Sequence, residues 1–394
     1  MSHELISRNP DLKRLRDEGY EIEIRGAKLI VSSVPYFNSA LEVRFGALVT
    51  DLELTGNQTQ PPSNHVIHFI GDHPCRKTGA EMESIRHAAC DQNLGDGIIV
   101  NRSFSNKPSE GYADYYHKIT RYIDIISAPV MSEFPEITGQ TFKVVESHES
   151  ESVFVYLDTN SSRAEIDGIS EKLKHKKIAI VGAGGTGSYI LDFLAKTHVS
   201  EIHIWDGDVF LQHNAFRAPG APSIDEIHER PTKASRLAAI YSKMRRGIFA
   251  HEEFIRAHEM PSFVGFDVVF ICIDDSKVKK SLVETLEQER VCFIDAGLGL
   301  EIVDDMLVGL LRVTSGSTDF ETSITARARI PFRDADDRDV YATNIQIAEL
   351  NAFAGALAVI KWKKLVGFYN DACGEHNTIY SLNDNLLHND DYKP

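Results

Sequence analysis

The stretch Lys177-Ile-Ala-Ile-Val-Gly182-Ala-Gly184-Gly185-Thr-Gly187-Ser-Tyr-Ile-Leu-Asp-Phe-Leu194, followed by Glu201-Ile-His-Ile-Trp-Asp206, decides the fold of the C-terminal part of this 394-residue chain. An apolar run is cut by a glycine-rich turn, a helical segment follows, and a second apolar run ends on a carboxylate. Glycines let the backbone turn tightly and approach a phosphate without a Cβ in the way. The helix start offers unpaired N–H groups to an anion, and Asp206 can accept hydrogen bonds from a ribose. The pattern predicts a nucleotide site in which Gly182, Gly184, Gly185, Gly187 and Asp206 form the cradle. A dinucleotide-binding oxidoreductase and an ATP-using enzyme both satisfy it.

Working outward, apolar runs and helical patterns alternate. Strands are expected at 177–181, 201–206, 267–273 and 291–296, and helices at 186–197, 232–244 and 276–289, with a loop over 207–230. This order predicts a Rossmann-like, doubly wound, mainly parallel α/β sheet. Gly299 to Thr314 reads as an antiparallel extension, and Thr378 to Leu382 as a closing strand. Asn344 to Lys364 reads as a long helix with Ile347, Leu350, Ala354, Leu357 and Ile360 on one face.

Residues 1–150 lack such alternation and are expected to form an α+β domain. Tyr20–Ile24 and Lys28–Val31 flank Arg25-Gly26-Ala27 as a strand pair, 42–49 and 66–70 are further strands, 56–64 is a loop, and Asp114 to Ile126 has helical spacing. The expected division is therefore 1–150, an α/β domain over 151–382, and a polar, frayed tail over 383–394.

Composition narrows the function. A net charge of −16 counts against broad nucleic-acid binding, which needs cations to displace phosphate counterions. No apolar run approaches the roughly 18 residues of a membrane span, and the first residues lack a secretion signal, so a cytoplasmic location is expected. Five cysteines, Cys75, Cys90, Cys272, Cys292 and Cys373, include no C-x-x-C pair, so neither a zinc site nor a disulfide framework is expected. Cys272 and Cys292 lie in apolar runs and read as core.

Downstream motifs separate the two nucleotide chemistries. Asp206-Gly-Asp208 is followed by Asn214-Ala-Phe-Arg217, then by Lys233 at a helix start, then by Asp274-Asp275-Ser276 after a strand. In this order and spacing the chain resembles the ThiF/MoeB superfamily, which includes the activating enzymes of ubiquitin-like proteins. The resemblance implies that ATP is attacked at its α-phosphate by a C-terminal carboxylate, giving an acyl-adenylate and pyrophosphate. It implies that Arg217 and Lys233 grip the phosphates, Asn214 bonds to them, Asp274 holds Mg²⁺, Asp206 takes the ribose and Asp208 supports the loop. It also implies that Arg163 reaches across a homodimer into the partner's site. Taken singly, Arg217 and Lys233 also read as solvated surface cations, and of the acidic pair Asp275 is the better helix cap.

The family pattern is incomplete here. No cysteine occurs from Phe293 to Tyr369, where relatives place a thioester nucleophile, which leaves Cys373 as the candidate. His73-Pro74-Cys75 resembles the His-Pro pair that precedes the cysteine of conjugating enzymes. Ser105–Pro108 and Gly111–Tyr116 resemble a domain that precedes ThiF-like domains in some bacterial proteins. The expected partners are a ubiquitin-like protein ending in glycine, a conjugating enzyme and a second copy of the chain. A sulfur carrier, a peptide and a tRNA nucleoside are the alternative acceptors, and an NAD-dependent oxidoreductase is the alternative of another class.

Overall fold

A computed structural model of the chain describes residues 2–143, 145, 152–164, 166–317, 326–332 and 345–389; the side chains of residues 2–4, 90, 162, 163 and 167 are outside that set. It divides into two units, Met1–Glu171 and Lys172–Pro394, so 151–171, read from sequence with the second domain, groups with the first.

In the first unit, helices α1 (Ser2–Arg8) and α2 (Pro10–Asp17) precede strands β1 (Glu21–Arg25), β2 (Lys28–Phe37) and β3 (Val43–Asp51). A small hairpin, β4 (Leu54–Thr55) with β5 (Gln58–Thr59), overlaps the start of the segment read as a loop. Then come β6 (Val66–Ile70), β7 (Arg86–Asn93), β8 (Ile99–Ser105), α3 (Tyr115–Met131), α4 (Thr159–Arg163) and α5 (Asp167–Ser170). The six-stranded sheet runs β1-β2-β3-β6-β8-β7 and is antiparallel throughout. Asp114 caps α3 by accepting from the His117 amide, and the helix buries Tyr115, Ile119, Tyr122 and Ile126 with the sheet's apolar residues. Strands β7 and β8 escaped the sequence reading because β7, Arg-His-Ala-Ala-Cys-Asp-Gln-Asn, shows no polar–apolar alternation. Lys118 is buried where its ammonium donates to the Thr50 hydroxyl and to the carbonyls of Asn64 and Val66; burial pushes it down to about 8.

The second unit starts from β9 (Lys177–Val181), whose Ile178 to Val181 are all buried, as a strand covered on both faces requires. Helix α6 (Gly185–Ala195) leads to β10 (Glu201–Trp205). After α7 (Gln212–Ala215), α8 (Ile224–Glu229) and α9 (Lys233–Tyr241) come β11 (Ile248–His251), β12 (Val268–Ile271), α10 (Ser276–Glu289), β13 (Phe293–Val303) and β14 (Met306–Gly316). Helix α11 (Ala348–Leu365) and strands β15 (Asn377–Ser381) and β16 (Leu386–Asn389) complete the unit. The sheet order is β11-β10-β9-β12-β13-β14-β15-β16, parallel as far as β13 and antiparallel beyond it. This is the doubly wound sheet with an antiparallel extension. Successive strands leave β9 on opposite sides, β10 on one and β12 on the other, which makes the β9/β12 boundary the topological switch point.

Three sequence expectations change. Strand β11 was not anticipated. Leu386–Asn389 pairs with β15 inside the stretch read as a frayed tail, because Leu387 and His388 continue the antiparallel ladder. The buried stripe of α11 is Leu350, Asn351, Ala354, Gly355, Ala358, Val359 and Trp362, while Ile360 is exposed. Small residues set that stripe: a Cβ on Gly355 would lie 3.1 Å from the Tyr189 Cβ of α6, so the two helices approach closely where side chains are shortest.

The loop after α11 is tied back by charge. Lys361, almost fully buried, places Nζ 2.6 Å from Glu375 Oε1, and Lys364 Nζ lies 2.9 Å from the same oxygen. Burial works against the Glu375 charge, but bonds from Lys361 and Lys364 outweigh it and hold the carboxyl down to about 2. A depressed carboxyl stabilises the fold above its unfolded value, and that contribution is lost as pH falls through the folded value. Glu375→Gln should therefore lower urea-unfolding stability near neutral pH. The gap to wild type should narrow between pH 4.5 and about 2, and a gap constant with pH would exclude this account.

Candidate nucleotide site

A cleft of about 1210 Å³ opens at the carboxyl ends of β9, β10, β12 and β13, the switch-point position where open α/β sheets take ligands. Gly182, with φ of 94°, ends β9; a Cβ there would stand 2.6 Å from the Cys272 carbonyl oxygen. A Cβ on Gly187 would stand 1.9 Å from the Gly182 carbonyl oxygen, and one on Gly185 2.1 Å from the Asn351 amide nitrogen. These three glycines are required by packing. Gly184 differs: nothing lies within 4 Å of its Cβ position, and it caps α6 with no side-chain bond. The N–H groups of the first helical turn have no partner within the helix, so this open position is where an anion can approach them.

Asp206 braces the loop. Its Oδ2 accepts from the Ala183 amide at 2.7 Å and its Oδ1 from the Asp208 amide at 2.9 Å. Burial raises its pKa, opposed by Lys233, whose Nζ lies 3.9 Å away, and by the two amide bonds. The nearly buried Lys233 also bonds the more exposed Asp208 carboxylate, so the lysine is held between two acids at the start of α9.

Asn214 is buried, and its Oδ1 accepts from the Leu211 amide at 2.8 Å. With Gly184, Gly185, Arg217 and Lys233 it lines a small recess beside the cleft. Among the described residues, Arg217 Nε is buried without a hydrogen-bond partner. An orphaned guanidinium donor beside an open helix start fits a phosphate oxygen.

Asp274 is exposed on the cleft wall, while Asp275 accepts at 2.9 Å from the amides of both Lys277 and Val278 and so caps α10. No cluster of three or more His, Cys, Asp or Glu that could hold a metal occurs among the described residues. A single carboxylate is nevertheless the protein share expected for Mg²⁺ held mainly by phosphates and water.

The cleft also contains groups that the motifs did not flag. Phe254 packs on Gly207, where a Cβ would meet its ring at 2.7 Å. Gln346 presents a buried Oε1 with no partner among the described residues, and Asn351 accepts from the Thr186 hydroxyl at 3.0 Å. Lys279 and Arg312 flank the fully buried Asp295. These residues come from helix starts, sheet positions and, for Phe254, the segment after β11, all distant in sequence. Only Lys279, five residues after Asp274, lay within reach of a spacing argument.

The remaining candidates lie elsewhere. Cys373 is exposed and is not among the residues lining the cleft. Arg163 ends α4, and its side chain lies outside the described residues. Cys272 borders the cleft, but burial pushes its thiol up to about 12, raised further by Asp295 and lowered by Lys279. Burial does the same to Cys292. In the first unit Cys75 is buried, its thiol raised by burial and donating to the His73 carbonyl.

The ThiF family profile matches residues 159–322. This segment is a ThiF family domain. Residues 10–159 match a domain of unknown function, DUF6791. No curated protein matches the chain. Among solved structures, E. coli MccB is 16% identical, with 59% of this chain and 71% of that one covered and a TM-score of 0.45. PaaA is 18% identical over 57% and 75% at 0.42, and E. coli tRNA N6-threonylcarbamoyladenosine dehydratase, TcdA, is 17% identical over 52% and 92% at 0.38.

The glycines of the ThiF domain make a sharp test. Gly187→Ala forces a methyl group into the Gly182 carbonyl and should cost about 1–3 kcal/mol or more in urea unfolding. Gly184→Ala should leave stability unchanged within about 0.5 kcal/mol while weakening ATP binding, read by calorimetry. Equal affinity in Gly184→Ala and wild type would remove the phosphate from that position.

Proposed function

We infer that the chain is an ATP- and Mg²⁺-dependent adenylyltransferase that activates the C-terminal carboxylate of a ubiquitin-like protein. The observation that carries this reading is the convergence of Gly184, Arg217, Lys233 and Asp274 on one switch-point cleft. An oxidoreductase would give these two cations and the carboxylate no common task.

The difficulty of the reaction is electrostatic, since an anionic carboxylate must approach a polyanion. Arg217 would turn its unpartnered Nε toward a phosphate oxygen. Lys233, held by Asp206 and Asp208, would present its ammonium without a search through rotamers. The first turn of α6 would receive a second phosphate through backbone N–H groups. Mg²⁺, held by Asp274, would offset charge on the phosphates as pyrophosphate leaves. Asp206 keeps a lone pair on each oxygen for the ribose while bracing the loop. Arg163 supplied by a second copy would complete the site.

With ATP and a glycine-terminated ubiquitin-like protein, the chain should release pyrophosphate and form a mass adduct of AMP on that protein. Arg217→Ala and Asp274→Asn should each lower kcat by about 10²-fold or more. Nicotinamide cofactor binding without pyrophosphate release would overturn the reading. Coexpressed Arg163→Ala and Lys233→Ala chains should recover about a quarter of wild-type activity, because half of randomly paired dimers are mixed and each mixed dimer has one intact site. No recovery would eliminate the shared site.

A further inference from the structure

Strands β10 and β11 carry two histidines that the nucleotide chemistry does not use, and the two are bonded to each other. Glu201 Oε2 lies 3.0 Å from Lys177 Nζ and 3.1 Å from His203 Nε2, and His203 Nδ1 lies 3.0 Å from His251 Nε2. Bonds from His203 and Lys177 lower the pKa of Glu201 and keep it ionised. A carboxylate can only accept, so His203 carries its proton on Nε2, and His251 donates from its own Nε2 to His203 Nδ1.

The rings are packed as well as bonded. His251 lies flat on Trp205, with centroids 4.0 Å and planes 3° apart. His203 stacks on Phe249 at 4.6 Å and meets the Phe266 ring edge-on at 5.1 Å. Burial lowers the pKa of both histidines. For His203, Glu201 opposes that shift and Lys177 adds to it; for His251, His203 adds to it and Glu253 opposes it. Glu252 is bonded to the Thr232 hydroxyl instead, and the covering segment Phe263-Val-Gly-Phe266 has no titratable group.

This pair borders the cleft. The Asp206 amide donates to the His251 carbonyl at 3.1 Å, and both Trp205 and the residues Glu253 to Arg256 line the cleft wall. Strand β11 is the sheet edge, four residues long and paired only with β10 among the described residues. Few other bonds hold it in place, so the ring contacts and the His203–His251 bond have a large share in seating the wall that follows it.

The proton count determines how the chain responds to acid. One added proton goes to His251 Nδ1, the ring nitrogen outside the chain, and leaves every bond intact; the Trp205 face offsets part of its charge. A second proton must enter at His203 Nδ1, where the His251 N–H already points. Two donors and two like charges would then face each other across 3.0 Å, and the pair must part.

We propose that Glu201, His203 and His251 form an acid sensor for nucleotide binding: loading the pair with protons loosens β11 from β10, withdraws Phe254 from Gly207 and lowers the affinity of the cleft for ATP. The sensor rests on the nucleotide reading of the cleft and adds regulation to it. A histidine that the fold keeps neutral stabilises it above about 6.5, the value of the free side chain. That contribution is lost as pH falls from there through the lower folded value.

The test uses the full chain and α,β-methylene ATP, titrated by calorimetry between pH 8 and 5. Tryptophan emission of the nucleotide-free chain is followed over the same range, because a charged ring stacked on Trp205 quenches it. Protonation of the ligand's own phosphate is common to all variants. Beyond the loss shown by His251→Gln, wild type should lose about tenfold in affinity from pH 7.5 to 5.5. Lys177→Met, which removes the opposing cation, should raise the midpoint of both signals by about half a pH unit, and Glu201→Gln should lower it by about as much. A merely structural role would not move the midpoints in opposite directions. Both substitutions fall on partly exposed side chains and keep the test readable should His251→Gln fail to fold. Equal pH dependence in wild type and His251→Gln, or midpoints that do not move apart in the two charge variants, would overturn the proposal. An emission midpoint that shifts as expected, with no analogue bound at any pH, would instead overturn the nucleotide reading of the cleft.

Discussion

Asp206 is the point on which the second unit turns. A carboxylate buried at the end of β10 is costly unless its oxygens are bonded, and the chain meets that demand with the amides of Ala183 and Asp208 and with Lys233. Those three partners come from the glycine loop, the segment after β10 and the start of α9. One acid thereby fixes the relative placement of three segments that are far apart in sequence. Replacing its charge would release the loop from β10, and on the proposed reading it would also remove a ribose acceptor.

The glycine loop shows the same economy in steric form. At Gly182, Gly185 and Gly187 the absent Cβ is occupied by other parts of the protein, a carbonyl oxygen in two cases and the Asn351 side chain in the third. At Gly184 the absent Cβ leaves a space that the protein does not fill. Four glycines that look alike in sequence thus divide into a packing set and one open position. Their spacing carries the motif, but only the neighbours of each one reveal the division.

Legibility from sequence followed the locality of the cause. Strand β9, helix α6 and strand β10 were readable because each is set by contiguous apolar runs and a glycine turn. Asn214, Arg217, Lys233 and Asp274 were singled out through the resemblance to the ThiF/MoeB motifs, and they line the cleft or the recess beside it. Strand β7 was not, because its polar composition is tolerated only through pairing with β8. The α11 stripe was misread where small residues, not large apolar ones, determined the helix contact. Gln346, Phe254 and the Lys279–Asp295–Arg312 group were hidden for a related reason: sheet register and helix packing, not sequence spacing, bring them to the cleft.

The last strand of the second sheet, Leu386–Asn389, pairs on one side only among the described residues and is exposed along its whole length, with Leu386 and Leu387 each about half uncovered. An edge of this kind presents a row of backbone donors and acceptors to any extended segment that reaches it. Copies of the same chain approach it against mutual repulsion, since each carries a formal charge of −16. That repulsion is a colloidal safeguard with a finite range of about 8 Å at physiological ionic strength. It shortens as salt is added, so the four-residue edge is shielded from other copies less well at high ionic strength than at low.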